Sequence, residues 1–410
     1  MNNGFENEPR SLSRRQFLAV TASAGAAMML GPWKAWAADN VDPLVAALVA
    51  ATIGIDTHNH IDVPLVASEV PGPTIDLAGE MKKSGLSAIC MTFAVDYQRL
   101  SEPGQAYERF KNALASMDQQ LERNHMKRSL NLAELRAAHK EGKPTVIQSV
   151  EGCHFLEGKL ERVEEVYHRG LRHLGLLHDS DASVPLGDVY TNPPRFGGLT
   201  AFGKDVIKEC ERLGILVDLA HADLETVKGA LKVATKPVII SHTGLDTQLG
   251  NNEFMARMMR PRLISKEQAK IVADAGGVIG VWTHLADTPE EYAKNVRALV
   301  DVIGIDHVCI GTDTKLTPAY GSHGGPGQGP GGGPGEGPRR EGGPGGGPRP
   351  GGGQGGRIGE RTNQAWQDQK AGFYYAVVDA MFKKGFTPDE ISKVGGGNFC
   401  RVFGKATDSH

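Results

Sequence analysis

A closed (β/α)₈ TIM barrel is the fold this sequence predicts, and three observations carry that expectation. Short apolar, β-branched runs alternate with stretches of helical periodicity eight times over roughly 260 residues, the pattern of repeated βα units around a parallel sheet. Several helix candidates close on Gly just ahead of the next strand, as in Leu213-Gly214 and Ile303-Gly304, where a left-handed residue stops a helix. No G-x-G-x-x-G follows any strand, which sets aside an open dinucleotide-binding sheet.

The strand candidates run from Ile53 to His58, Leu86 to Phe93, Thr145 to Glu151, Leu171 to His178, Ile215 to His221, Val238 to His242, Val278 to Thr283 and Val308 to Asp313. Helix candidates between them include Leu160 to Arg169, Phe202 to Leu213, Leu224 to Val233, Lys266 to Ala275 and Pro289 to Ile303. Residues 321–356, after strand eight, are almost all Gly and Pro with a few Arg, Glu and Gln. Backbone entropy without apolar side chains to offset it predicts a disordered, mobile insertion, either inert or with a lid or partner-binding role on the active-site face. Beyond it, Trp366 to Lys384 reads as the eighth barrel helix and Thr387 to Val394 as a short further one. The stretch Asn398 to Phe403 is expected to pack against the barrel.

The N-terminus carries an address. Ser13-Arg14-Arg15-Gln16-Phe17-Leu18 is followed by a weakly apolar stretch from Ala19 to Leu30 and by Ala35-Trp36-Ala37-Ala38, a small-x-small cleavage site. This is the form of a twin-arginine signal over residues 1–37, with residues 38–410 as one mature domain handled by the twin-arginine export machinery. With no Cys after the cleavage site and no second apolar run of about 20 residues, the product is expected to be soluble, without a membrane anchor, and periplasmic or secreted. Five cysteines lack metal-like spacing, and a protein that folds before export is not expected to depend on disulfides. A net charge of -3 favours neither nucleic acid nor an anionic membrane as partner and points to small-molecule chemistry.

In such a barrel the chemistry sits where strands end. Strand one closes on Asp56-Thr57-His58-Asn59-His60, strand three on Glu151, strand four on His178, strand five on His221, strand six on His242 and strand eight on Asp313. A single His at a strand end is usually a hydrogen-bonded structural residue. Six polar ends together, with His58 and His60 on one side of their strand, fit one or two divalent ions, Zn²⁺ above all. Bound metal brings the pKa of water to about 7, so a metal-activated water serves as nucleophile without Ser or Cys. Cys153, two residues past Glu151, is expected to be a bystander.

At these residues the sequence resembles the renal (membrane) dipeptidases of peptidase family M19, from about Ile55 to Phe403. The matching segments are Asp56-Thr57-His58-Asn59, Ser149-Val150-Glu151-Gly152, Leu174-Gly175-Leu176-Leu177-His178, Gly198 to Lys204, Gly214 to His221, Pro237 to His242 and Ile310-Gly311-Thr312-Asp313. The resemblance implies that His58 binds the first metal, Glu151 bridges, and His221 and His242 hold the second. It implies that Asp313 contacts metal and moves the proton, that His178 stabilises the developing oxyanion, and that Arg262 pairs with the substrate's terminal carboxylate. Arg260 in the same Arg-Pro-Arg stretch is equally able to make that contact. A homodimer is a further implication.

Two departures from the family pattern stand out. His60 occupies the place of the family's Asp, with Asp62 as a candidate compensating carboxylate, and Asp313-Thr314-Lys315 leads into the Gly/Pro tract. The expected function is an exported, zinc-dependent dipeptidase acting on small peptide-like substrates. The alternatives are a related amidohydrolase or lactonase acting on a secreted-metabolite intermediate, and a non-catalytic metal-binding maturation partner.

Overall fold

The computed structural model describes residues 41–319, 360–367 and 369–408. The expected export signal over 1–37 and the Gly/Pro segment over 321–356 lie outside the described residues.

Eight parallel strands close on one another: β1 (Ile55–His60), β2 (Ala88–Thr92), β3 (Thr145–Val150), β4 (Leu171–Gly175), β5 (Leu216–Asp218), β6 (Ile239–Thr243), β7 (Val278–Val281) and β8 (Val308–Ile310). Each pairs with its sequence neighbour, and β1 lies between β8 and β2, which closes the (β/α)₈ TIM barrel. A ninth strand, β9 (Thr314–Lys315), adds beside the upper end of β1, pairing Asn59 with Thr314 and His60 with Lys315. All residues of β1 to β8 are buried, as expected of β-branched strands covered by helices outside and packed side chains inside.

Most strands stop short of their expected ends. β5 ends at Asp218 rather than His221, β4 at Gly175 rather than His178, and β8 at Ile310 rather than Asp313. The cause is local at two of them: His221 and Asp313 have φ of 67° and 55°, left-handed values that a pleated strand does not admit. The functional side chains therefore open the loops. β1 instead runs on to His60, held by β2 and β9 on its two sides. Gly214 is the left-handed helix stop expected, whereas Gly304 pairs a positive φ of 83° with a ψ of 159° and leads straight out of its helix.

The eighth barrel helix is also shorter than expected, Phe373–Lys383. A Cβ on Gly372 would lie 1.7 Å from the Lys83 carbonyl oxygen, so the chain makes a close backbone crossing just before the helix starts. Trp366 lies upstream of it, stacked on Phe373 at 5.4 Å and donating its Nε1–H to the Ala286 carbonyl.

Inside the barrel the side chains form layers. The floor consists of Ile55, Ile147, Leu216, Ile239, Val278 and Cys309 packed on Phe399, Val402 and Phe403 of the C-terminal helix Asn398–Thr407. Above it lies a polar layer: the Asp218 carboxylate accepts from the backbone N–H groups of Ala220 (2.9 Å) and Ser241 (3.0 Å) and lies 3.2 Å from His173 Nε2. The Ser241 carbonyl accepts from Thr57 Oγ1 at 2.7 Å, and β6 shifts register between Ile240 and Thr243. Room for that carbonyl comes from Gly280 and Gly311, where a Cβ would sit 1.9 Å and 1.7 Å from it. All five cysteines are free and buried. Among the described residues no helix is long and apolar enough to cross a membrane.

Candidate metal centre

The top of the barrel is organised from strand one. The Asp56 carboxylate is fully buried and does not face the mouth: it accepts from the Thr312 backbone N–H (2.8 Å), Thr312 Oγ1 (2.6 Å) and Asn59 Nδ2 (2.8 Å), tying the end of β1 to the turn after β8. That tie fixes His58 and Asp313 relative to each other, and the Asp313 backbone N–H donates to the His58 carbonyl at 3.1 Å.

Glu151 is the hub. Its Oε1 lies 2.9 Å from His221 Nε2, 3.4 Å from His58 Nε2 and 3.7 Å from His242 Nε2; its Oε2 lies 3.3 Å from His178 Nε2 and 3.7 Å from His60 Nε2. Asp313 Oδ1 lies 3.1 Å from His60 Nε2 and 3.8 Å from His58 Nε2. The imidazoles also approach one another, His58 to His60 at 3.1 Å and His221 to His242 at 3.0 Å between Nε2 atoms. The residues taken from the sequence as metal ligands thus share one centre at the C-terminal rim. Three overlapping groups can each surround an ion: His58 with His60 and Glu151, Glu151 with His178 and His221, and His58 with His242 and Asp313, while His242 also approaches His221.

All five of these imidazoles turn Nε2 inward, and each has an outer partner on Nδ1. Ser241 Oγ serves both His58 (3.2 Å) and His242 (2.9 Å), Tyr97 OH serves His60 (2.9 Å) and Asp96 serves His178 (2.7 Å). Asp179 (3.0 Å) and Tyr190 OH (3.1 Å) share His221. Outer contacts of this kind set the tautomer and aim the inner nitrogen. His284 Nε2, 2.8 Å from Asp313 Oδ2, does the same for that carboxylate.

The electrostatics suit a cation. Burial works against charge on Glu151, but His178 and His58 hold it well below the usual carboxylate range; burial likewise opposes charge on Asp313, and His242 and His284 override it. Burial and the neighbouring His58 push His242 down to about 3, whereas burial would lower His221 but Asp179 and Glu151 carry it up to about 9, so a cation entering the cluster would displace a proton from His221. Burial would lower His178, yet Asp96 and Glu151 carry it up to about 10.

The donor set fits a divalent ion on two further counts. Glu151 Oε2 is a buried carboxylate oxygen without a hydrogen bond. A tetrahedral ion with bonds of about 2.0 Å holds its ligand atoms about 3.3 Å apart, and the inward atoms here are spaced at 2.9 to 3.8 Å. His221 and Asp313 are held in left-handed backbone, a strain of roughly 1 kcal/mol or more each that a fold tolerates where a site requires it.

The remaining sequence expectations divide. Arg262, rather than the exposed Arg260, is the guanidinium at the rim, joined to the cluster through Asp179. The Asp62 carboxylate pairs with Lys315 Nζ at 2.7 Å. Cys153 is a bystander, its thiol on the Gly175 carbonyl. Sequence reasoning passed over Asp96, Tyr97, Asp179, Tyr190, Ser241 and His284. The signal for three of them was available, because strands two and seven had been assigned no polar residue at the mouth, and these are the strands followed by Asp96, Tyr97 and His284.

Residues 44–320 match the model of the membrane dipeptidases, peptidase family M19. The chain belongs to this family. Dipeptidase verJ of Clonostachys rogersoniana is 28% identical over 188 residues, 44% of this chain and 46% of that protein, so the match spans less than half the length of that curated relative. Among solved structures, an amidohydrolase from Pseudomonas aeruginosa superposes with a TM-score of 0.66 at 20% identity, covering 89% of this chain and 99% of that one. A metallo peptidase from Rhodobacter sphaeroides, liganded with a phosphinate mimic of the dipeptide L-Ala-D-Ala, superposes with a TM-score of 0.59 at 18% identity, covering 87% and 99%. At such identities the structural likeness establishes the shared barrel. Membership of the membrane dipeptidase family rests on the sequence match, which spans β1 to β9.

Proposed function

We propose that this member of the membrane dipeptidase family is an exported, zinc-dependent dipeptidase that hydrolyses the amide bond of dipeptides. The observation that carries the reading is the convergence of His58, His60, His221, His242 and Asp313 on Glu151, with a guanidinium at the rim. His58, His60, Glu151, His221, His242 and Asp313 would hold the resident ion or ions, and an imidazole-rich set with two carboxylates suits zinc. A divalent cation bound there supplies Lewis acidity and brings nucleophilic water within reach near pH 7.

The chain's own groups do the rest. His178, anchored by Asp96, presents Nε2 towards the cluster, where it donates to the carbonyl oxygen as negative charge grows on it. Asp313, steadied by His284 through Oδ2, has Oδ1 facing the cluster to take a proton from the attacking water and pass it to the leaving amine. Arg262 marks the end of the site where a terminal carboxylate would lie.

Mature protein, residues 38–410, reconstituted with zinc is expected to release amino acids from L-Ala-D-Ala and other dipeptides, and to lose that rate on chelation. Absence of release across a broad dipeptide panel sinks the reading. One observation favours a second reading, hydrolysis of another amide or a lactone: an imidazole, His60, stands where the family resemblance implies a carboxylate. Lactone turnover without peptide turnover would select it.

The export component rests on residues 1–37 alone. Changing Arg14→Lys together with Arg15→Lys is expected to retain the protein in the cytoplasm. Recovery of the double variant from the periplasm at the wild-type level counts against export by this route.

A further inference from the structure

The guanidinium implied as the receptor for a substrate carboxylate already has one. Arg262 closes the short 3₁₀ turn Arg260–Arg262, with its backbone carbonyl accepting from Thr243 Oγ1 at 3.0 Å, one residue past His242. Its Nη2 donates to Asp179 Oδ2, and its Nη1 donates to the Met258 carbonyl at 3.2 Å. Asp179 in turn follows His178 directly and places its other oxygen 3.0 Å from His221 Nδ1. Side chains of both partners remain about a quarter exposed, Arg262 at 28% and Asp179 at 26%, so the pair lies open to an incoming ligand at the rim.

Recognition of a carboxylate by arginine draws its strength from a bidentate fork of parallel N–H bonds and from a full positive charge. Here both terminal nitrogens have protein acceptors and the charge is matched by Asp179. An incoming carboxylate meets a neutral pair, with the Asp179 oxygen beside the position it would take. We propose that Asp179 competes with the substrate's terminal carboxylate for Arg262, and so determines how strongly the site selects peptides with a free C-terminus. The substrate class that follows is peptide-like amides with either a free or a blocked C-terminal end. A residue serving only to hold His221 would affect both kinds of peptide alike.

This inference rests on the dipeptide reading above. The test compares KM for L-Ala-D-Ala and for its C-terminal amide on the zinc-loaded mature protein, wild type against Asp179→Asn. Asn keeps the size and an acceptor oxygen for His221 while removing the charge. The wild-type ratio of KM for amide to KM for acid is expected to lie within about threefold of unity, and the variant's ratio to exceed about tenfold. A wild-type ratio already above about tenfold, or an Asp179→Asn ratio equal to wild type, overturns the proposal. Should Asp179→Asn fail to fold or to load zinc, Asp179→Ser decides by the same ratio: a value above about tenfold supports competition, and one equal to wild type overturns it. Failure of the wild type to cleave either peptide removes the dipeptidase reading and this inference together. Cleavage with a strong preference for the acid that survives Asp179→Asn removes the inference alone.

Discussion

Glu151→Gln is expected to lower kcat/KM of the zinc-loaded protein by at least about a thousandfold and to weaken zinc binding in chelator competition by more than about tenfold. The substitution is nearly isosteric, so the effect isolates charge and donor direction. Five imidazole Nε2 atoms lie between 2.9 and 3.7 Å from the two Glu151 oxygens. An amide replaces one of those oxygens by a donor and removes the negative charge at the centre of the cluster. Burial makes the loss hard to relieve, because Glu151 is 4% exposed and water has little access to substitute for it. Metal content per chain and turnover, measured on the same preparation, check the result. Full zinc content with more than about a tenth of the wild-type rate would remove Glu151 from the centre of the site.

Gly311→Ala is expected to be the most damaging single-methyl change in the barrel. The new Cβ would lie 1.7 Å from the Ser241 carbonyl oxygen and 2.8 Å from Thr57 Oγ1, both in the packed interior. Neither is the far end of a flexible side chain, so the β6 backbone itself must move. Overpacking of this sort costs about 3 kcal/mol or more, a fall of roughly 4 °C or more in thermal midpoint for a chain of this size. Ser241 Oγ orients both His58 and His242, so the displacement should also reduce zinc affinity in whatever fraction folds. A thermal midpoint within about 2 °C of wild type would show that the interior has slack where the glycine packing indicates none.

Much of the fold and of the inner site was legible in the sequence, for a physical reason. In a parallel barrel every strand delivers its last residues to the same rim, so a list of strand ends is already a list of neighbours. His58, Glu151, His221, His242 and Asp313, spread over more than half the chain, could be placed together on that ground. The outer partners were not legible in the same way. Asp179 and Tyr190 reach His221 from a loop whose path depends on tertiary packing and which no periodicity encodes, whereas Asp96 and Tyr97 follow a strand to which no polar end had been assigned. Asp62 and Arg262 illustrate the same limit from the other side: Asp62 was named for its closeness to His60 and Arg262 through the family resemblance, while their partners, Lys315 and Asp179, lie far along the chain. Strand limits were overrun where left-handed backbone at His221 and Asp313 ends the pleat, a property of the site rather than of strand propensity.

Phe399, Val402 and Phe403 form the lower seal of a cylinder whose first stave is Ile55–His60. A stretch that follows all eight staves along the chain is therefore the piece that shuts the first. A nascent chain that has finished all eight staves still exposes Ile55, Leu216 and Ile239 at an open base. Translation must pass Phe403 before water is excluded from the barrel base, and a chain broken off ahead of Phe399 leaves an apolar opening there.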